Sequence, residues 1–133
     1  MSLRALSPIV LAFALACAVG ASTTAAEWQP FSQKAFDMAV ASGKGVVLDF
    51  HADWCPTCKA QAPILAELLK NEKLAMNGVV ALKADFDTET ELRKALKVQK
   101  QSTIVIFKGG REVARGTGVT DRAALAELIA KAY

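Results

Sequence analysis

The chain has 133 residues, of which 53% are hydrophobic, and a formal net charge of +3. That length holds one domain with a modest core. The basic residues are spread along the chain with no cluster interleaved with aromatics, so a nucleic-acid partner is not expected.

In chain order, Met1 to Ser7 carries one positive charge at Arg4, Ile9 to Val19 is apolar and alanine-rich, and Gly20 to Ala26 is small and polar. This is the order of a secretory signal peptide, and the apolar stretch falls short of the ~20 residues that span a bilayer. Cleavage fits after Ala21 or Ala26. Ala26 is preferred because Glu27-Trp28-Gln29-Pro30 reads as the start of ordered chain. The expected organisation is a signal segment over 1–26 and one domain over 27–133, located in the periplasm. Cys17 lies in the leader, in a context that matches a lipoprotein signal poorly, so the mature domain keeps Cys55 and Cys58.

Phe31 to Ser42 shows a helical spacing of apolar residues with Ser32 as its cap, stopped by Gly43-Lys44-Gly45. Val46 to Phe50 is a short, β-branched run expected as a strand buried on both faces. A second helix is expected from the cysteine pair to about Asn71, with Ile64, Leu65, Leu68 and Leu69 as its core stripe and a kink at Pro63. Gly78 to Phe86 reads as a second strand, and Thr88 as the cap of a helix carrying Leu92, Ala95 and Leu96. Ser102 to Lys108 is a third strand, turned by Gly109-Gly110 into Glu112 to Arg115. Asp121 caps a last helix with Leu125, Leu128 and Ile129 inward. Helix-linked strands imply parallel pairing and the hairpin antiparallel pairing. The expected fold is therefore α/β, a mixed central sheet flanked by helices, with no cofactor pocket.

The chemistry concentrates in Ala52-Asp53-Trp54-Cys55-Pro56-Thr57-Cys58-Lys59. Two thiols three residues apart, at a strand-to-helix junction, can close and reopen a small disulfide. With Cys55 as N-cap and Pro56 in the first helical position, where its missing donor costs nothing, the N–H groups of Thr57 and Cys58 face the Cys55 sulfur. Those donors and the positive helix end favour a sulfur anion, which makes Cys55 the attacking thiol and Cys58 the resolving one. Thr57 adds no charge. Two mature cysteines and His51 alone cannot complete a zinc site.

On these residues the chain resembles the thioredoxin family. The resemblance spans the mature region and rests on Val47-Leu48-Asp49-Phe50, the Ala52-to-Lys59 run, Ala62-Pro63-Ile64-Leu65, Lys83 before Asp85-Phe86-Asp87, and Phe107-Lys108-Gly109-Gly110. His51-Ala52-Asp53-Trp54-Cys55 is also similar to the periplasmic reducing domain of transmembrane disulfide reductases. The resemblance implies a thioredoxin-like fold and a disulfide oxidoreductase acting on protein thiols and disulfides. It also implies an exposed Trp54 beside the site and a membrane disulfide reductase as electron donor to a monomeric protein.

Asp49 stands where the family carries a buried carboxylate behind the second cysteine. Burial would raise its pKa and make it a proton acceptor for Cys58, with Lys83 near it. Trp54, Pro56, Ser102 and Thr103 are the expected substrate-binding surface. Ser102 departs from the family, which has a cis-proline there. Either the Gln101–Ser102 bond is cis, at a cost of ~2.5–4 kcal/mol, or the loop is trans and reshaped. The Ser102 hydroxyl is a candidate hydrogen-bond partner for Cys55. His51 is a candidate to tune Cys55 or, more simply, a packed and partly exposed ring. The expected activity is protein-disulfide reduction. The alternatives are an oxidase or isomerase of the same fold, or a metal- or cluster-binding assembly module using the same two thiols.

Overall fold

The structure is a computed structural model that describes residues 24–133. Most of the expected signal segment, Cys17 included, lies outside the described residues. Among the described residues no helix is long and apolar enough to cross a membrane.

The elements are β1 (Trp28–Pro30), α1 (Gln33–Ala41), β2 (Val46–His51), α2 (Pro56–Leu68), α3 (Glu72–Met76), β3 (Val80–Asp85), α4 (Thr90–Ala95), β4 (Thr103–Lys108), β5 (Arg111–Thr117) and α5 (Arg122–Ala130). The strands form one sheet in the order β1-β3-β2-β4-β5. β1 and β2 each run parallel to β3, and β4 is antiparallel to both β2 and β5. This is the expected mixed sheet flanked by helices.

Because side chains alternate along a strand, β2 serves two cores at once. Val46, Leu48 and Phe50 face one side, where Phe36 and Ala39 of α1 and Leu92 of α4 cover them. Val47 faces the other side, with Leu65 of α2 and Leu125, Leu128 and Ile129 of α5. The same alternation carries Asp49 and His51 to the α2–α5 side.

Three departures from the sequence expectations have local causes. β1 precedes the first helix and was not foreseen. It is three residues long and contains Pro30, whose missing donor is tolerated on an edge strand. The second helix ends at Leu68 rather than at Asn71. Asn71 instead turns extended, and its side chain accepts from the Lys73 amide at 2.9 Å to start α3. Thr88 does not cap α4. The N-cap is Glu89, without a side-chain bond, while Asp85 Oδ1 accepts from the amides of Asp87 and Thr88 at 2.8 and 3.0 Å. Ser32 and Asp121 do cap their helices, accepting from Ala35 and Ala124. In the β4–β5 turn both Gly109 and Gly110 have positive φ, +61° and +80°, the twist that a two-residue hairpin needs.

Candidate active site

The two thiols sit where β2 hands over to α2. Cys55 is the helix N-cap, with extended φ and ψ, and Pro56 follows in the first turn. Of the two amides expected to face the Cys55 sulfur, that of Cys58 lies within bonding distance, donating to Sγ at 3.1 Å. The helix continues through Pro63. Both cysteines are free and each is 1% exposed, whereas Trp54 beside them is 57% exposed and Pro56 is exposed. The Trp54 indole is held by its own N–H, which donates to Asp87 Oδ2 at 2.8 Å. Asp87 is a neighbour of the site that the sequence reading named only as part of the family resemblance.

The Cys58 thiol is pushed up to about 11. Burial is the main cause, followed by its hydrogen bond with Cys55; the Ala52 backbone acts the other way, and the charges of Cys55 and Asp49 add to the rise. Cys58 therefore holds its proton at neutral pH.

Asp49 lies in the central strand, 3% exposed, and burial raises its pKa to about 6 against the opposing charges of His51 and Lys83. One of its oxygens, Oδ1, has no hydrogen-bond partner. Lys83 is its register partner on β3, which puts the two side chains on one face of the sheet. Lys83 also lies over the Trp28 ring, 5.6 Å from its centre. His51 comes next on the same face as Asp49, with its Nε2 3.2 Å from Asp53 Oδ1. Outside them runs an open groove of about 340 Å³, lined by Trp28, Pro30, His51, Asp53, Lys83 and neighbours. Lys83 and His51, the two side chains beside the buried carboxylate, thus reach solvent.

Ser102 resolves the choice between a cis and a reshaped loop. No described peptide bond is cis, and Ser102 adopts a left-handed conformation with φ +57°. Its hydroxyl donates to the Gln101 carbonyl at 2.6 Å rather than to Cys55. Its N–H, a donor that a proline would lack, binds the Phe50 carbonyl at 2.8 Å. Thr103 is 2% exposed, and its hydroxyl bonds the Lys100 carbonyl and the Thr117 hydroxyl.

Gln61 was not singled out in the sequence. It is 1% exposed on α2, and its amide donates to the Val119 carbonyl at 2.7 Å and the Ser102 carbonyl at 3.4 Å. The signal was available: an amide one turn after Cys58 and one turn before Leu65 interrupts the buried stripe of the helix. Among the described residues no group of three or more His, Cys, Asp or Glu side chains is placed to hold a metal ion.

The family model for thioredoxin matches residues 27–131. The chain belongs to the thioredoxin family. It is 36% identical over 103 residues to a thioredoxin of Chlamydia trachomatis, covering 77% of this chain and 96% of that protein. It is 34% identical to thioredoxin-2 of Saccharomyces cerevisiae over 100 residues, covering 74% of this chain and 91% of that one. Among solved structures, Trxlp from Edwardsiella tarda superposes with a TM-score of 0.72 at 35% identity, covering 77% of this chain and 98% of that one. A thioredoxin fold with a closely spaced cysteine pair supports thiol–disulfide oxidoreductase activity, and proteins of this fold act in general on protein thiols and disulfides.

Proposed function

We propose that this protein is an exported protein-disulfide reductase of the bacterial periplasm, monomeric, and re-reduced by a membrane disulfide reductase. The observation that carries the reading is the Cys58 amide bonded to Cys55 Sγ at the start of α2, with Asp49 buried behind the pair. A sulfur held at a helix N-terminus by a backbone donor is favoured as the anion that attacks disulfides. The uncharged Thr57 and the buried carboxylate favour reduction over oxidation. The order of charged, apolar and small residues before Glu27 supports export. The likeness of His51-Ala52-Asp53-Trp54-Cys55 to a periplasmic reducing domain supports the membrane donor.

The geometry supports the following cycle. A substrate disulfide seats against the exposed Trp54 and Pro56, beside the buried thiols. The Cys55 thiolate attacks one substrate sulfur and forms a mixed disulfide; the other sulfur leaves as a thiolate and takes up a proton. Cys55 then carries no charge, so its charge no longer helps to hold the proton on Cys58. Asp49 takes the Cys58 proton, and the Cys58 thiolate attacks Cys55 Sγ, breaking its bond to the substrate; the second substrate sulfur leaves as a thiolate and takes up a proton from solvent. Two electrons have passed to the substrate and the Cys55–Cys58 disulfide has formed. The proton on Asp49 leaves through the groove beside Lys83 and His51.

The test is reduction of insulin disulfides by the purified protein. Cys55→Ser is expected to abolish turnover, and Cys58→Ser to trap a covalent adduct through Cys55. An adduct formed through Cys58 in Cys55→Ser, or none in either variant, would contradict the assignment.

A further inference from the structure

We propose that Gln61 is a positioning residue, a hydrogen-bonded clamp that holds the two loops flanking the thiols and so sets how protein disulfides dock; this rests on the reductase reading above. The Gln61 amide reaches from the helix that carries the thiols to the Ser102 carbonyl, at 3.4 Å, and to the Val119 carbonyl, at 2.7 Å. These carbonyls lie 41 and 58 residues further along the chain, in the loops before β4 and before α5. A single side chain thereby ties α2 to both loops.

Core packing alone does not account for it. Gln61 is 1% exposed, and its Oε1 has no hydrogen-bond partner. An orphaned buried acceptor costs stability, and an aliphatic side chain in that stripe would carry no such cost. What the amide adds is register between loops that, among the described residues, have no other side-chain hydrogen bond to α2.

The loop it holds needs such a clamp. Ser102 is trans and left-handed, without the ring that fixes the backbone of a proline. It is pinned instead by donors from three directions. Its own N–H binds Phe50 O at 2.8 Å, the Gly118 N–H binds its carbonyl at 3.0 Å, and Gln61 reaches the same carbonyl from the helix. The Gly118 bond joins the two loops to each other, and Gln61 fastens the pair to the thiols. Releasing Gln61 leaves Cys55 and Cys58 in place but loosens the surface on which an extended polypeptide lies. A small disulfide, which needs little of that surface, is less affected.

The test compares wild type with Gln61→Met, which removes both donors while keeping an unbranched side chain of similar length. Gln61→Leu serves as a second variant. The ratio of kcat/KM for insulin to that for a small aromatic disulfide is expected to fall about fivefold, the scale of one lost hydrogen bond. Amide exchange at Ser102 and Gly118 is expected to accelerate while that of Leu125, in the α5 core, stays as in wild type. An unchanged ratio, or one unchanged while both rates fall and Leu125 exchange accelerates, overturns the clamp. A wild-type protein that reduces neither substrate removes the reductase reading, and exchange at Ser102 and Gly118 then decides on the clamp alone.

Discussion

Asp49 is buried at a cost in stability, at the position proposed for a proton acceptor. Its carboxyl has a pKa of about 6 in the fold against an ordinary value of 3.8, mainly because it is buried. Between those pH values the folded protein keeps a proton that the unfolded chain releases, so stability falls as pH rises through the window. The cost is complete above it, at roughly 3 kcal/mol. Asp49→Asn is therefore expected to raise Tm at pH 7.5 and to lose most of that gain near pH 4, measured by thermal melts across pH. A gain equal at both pH values would mean that burial of the charge is not its source. The same substitution is expected to slow disulfide turnover by at least about tenfold at neutral pH and to abolish the rise in rate around pH 6, as loss of a proton acceptor should. The placements of Cys55 at a helix start and of Asp49 in a buried strand were legible because each is a polar group at a position where the local pattern has few uses for one. The conformation of Ser102 was not. Its trans, left-handed geometry depends on bonds to Phe50 and Gly118, which no local rule anticipates.

Among the elements, the helix ends divide in the same way. Ser32, Cys55 and Asp121 cap their helices through their own side chains, and sequence finds such caps readily. The end of α4 is different. Lys97 takes the left-handed position usually given to glycine, at φ +54°, and the Val98 and Lys97 amides close onto the carbonyls of Arg93 and Lys94. Lys97→Gly is expected to stabilise the protein by about 1 kcal/mol in urea titration, because it relieves the left-handed penalty. A loss of stability there would mean that the lysine side chain holds the turn. Gly45 is constrained by packing instead. A Cβ there would lie 1.9 Å from the Ala132 carbonyl oxygen, so the chain after α5 must shift to admit it. Gly45→Ala is expected to cost about 1–3 kcal/mol in the same titration. A neutral result would show that the C-terminal segment is not packed there. Position 45 read only as a helix stop in the sequence, since the contact joins segments that are distant in the chain. β1 was missed for a related reason. Its three residues have no pattern of their own and exist as a strand through pairing with Ala81, Leu82 and Lys83.

At the scale of the whole molecule, the sheet order was only partly legible. Helix-linked strands and a glycine hairpin gave the mixed sheet, but not the added edge that puts Trp28 and Pro30 against Lys83. That edge makes the groove through which the charged neighbours of Asp49 meet solvent. Export is a separate claim and has its own readout. The protein recovered from the periplasm of its bacterial host is expected to begin at Glu27, whereas recovery from the cytoplasm beginning at Met1 would contradict it. The direction of electron flow belongs to the molecule as a whole, because ~30 mV corresponds to only ~1.4 kcal/mol for a two-electron couple. The most direct test is the reduction potential of the Cys55–Cys58 couple, equilibrated against defined thiol–disulfide buffers and read by alkylation. A value near or below about −230 mV is expected of a reductase, and a value above about −180 mV would contradict that account and place the protein among oxidases or isomerases.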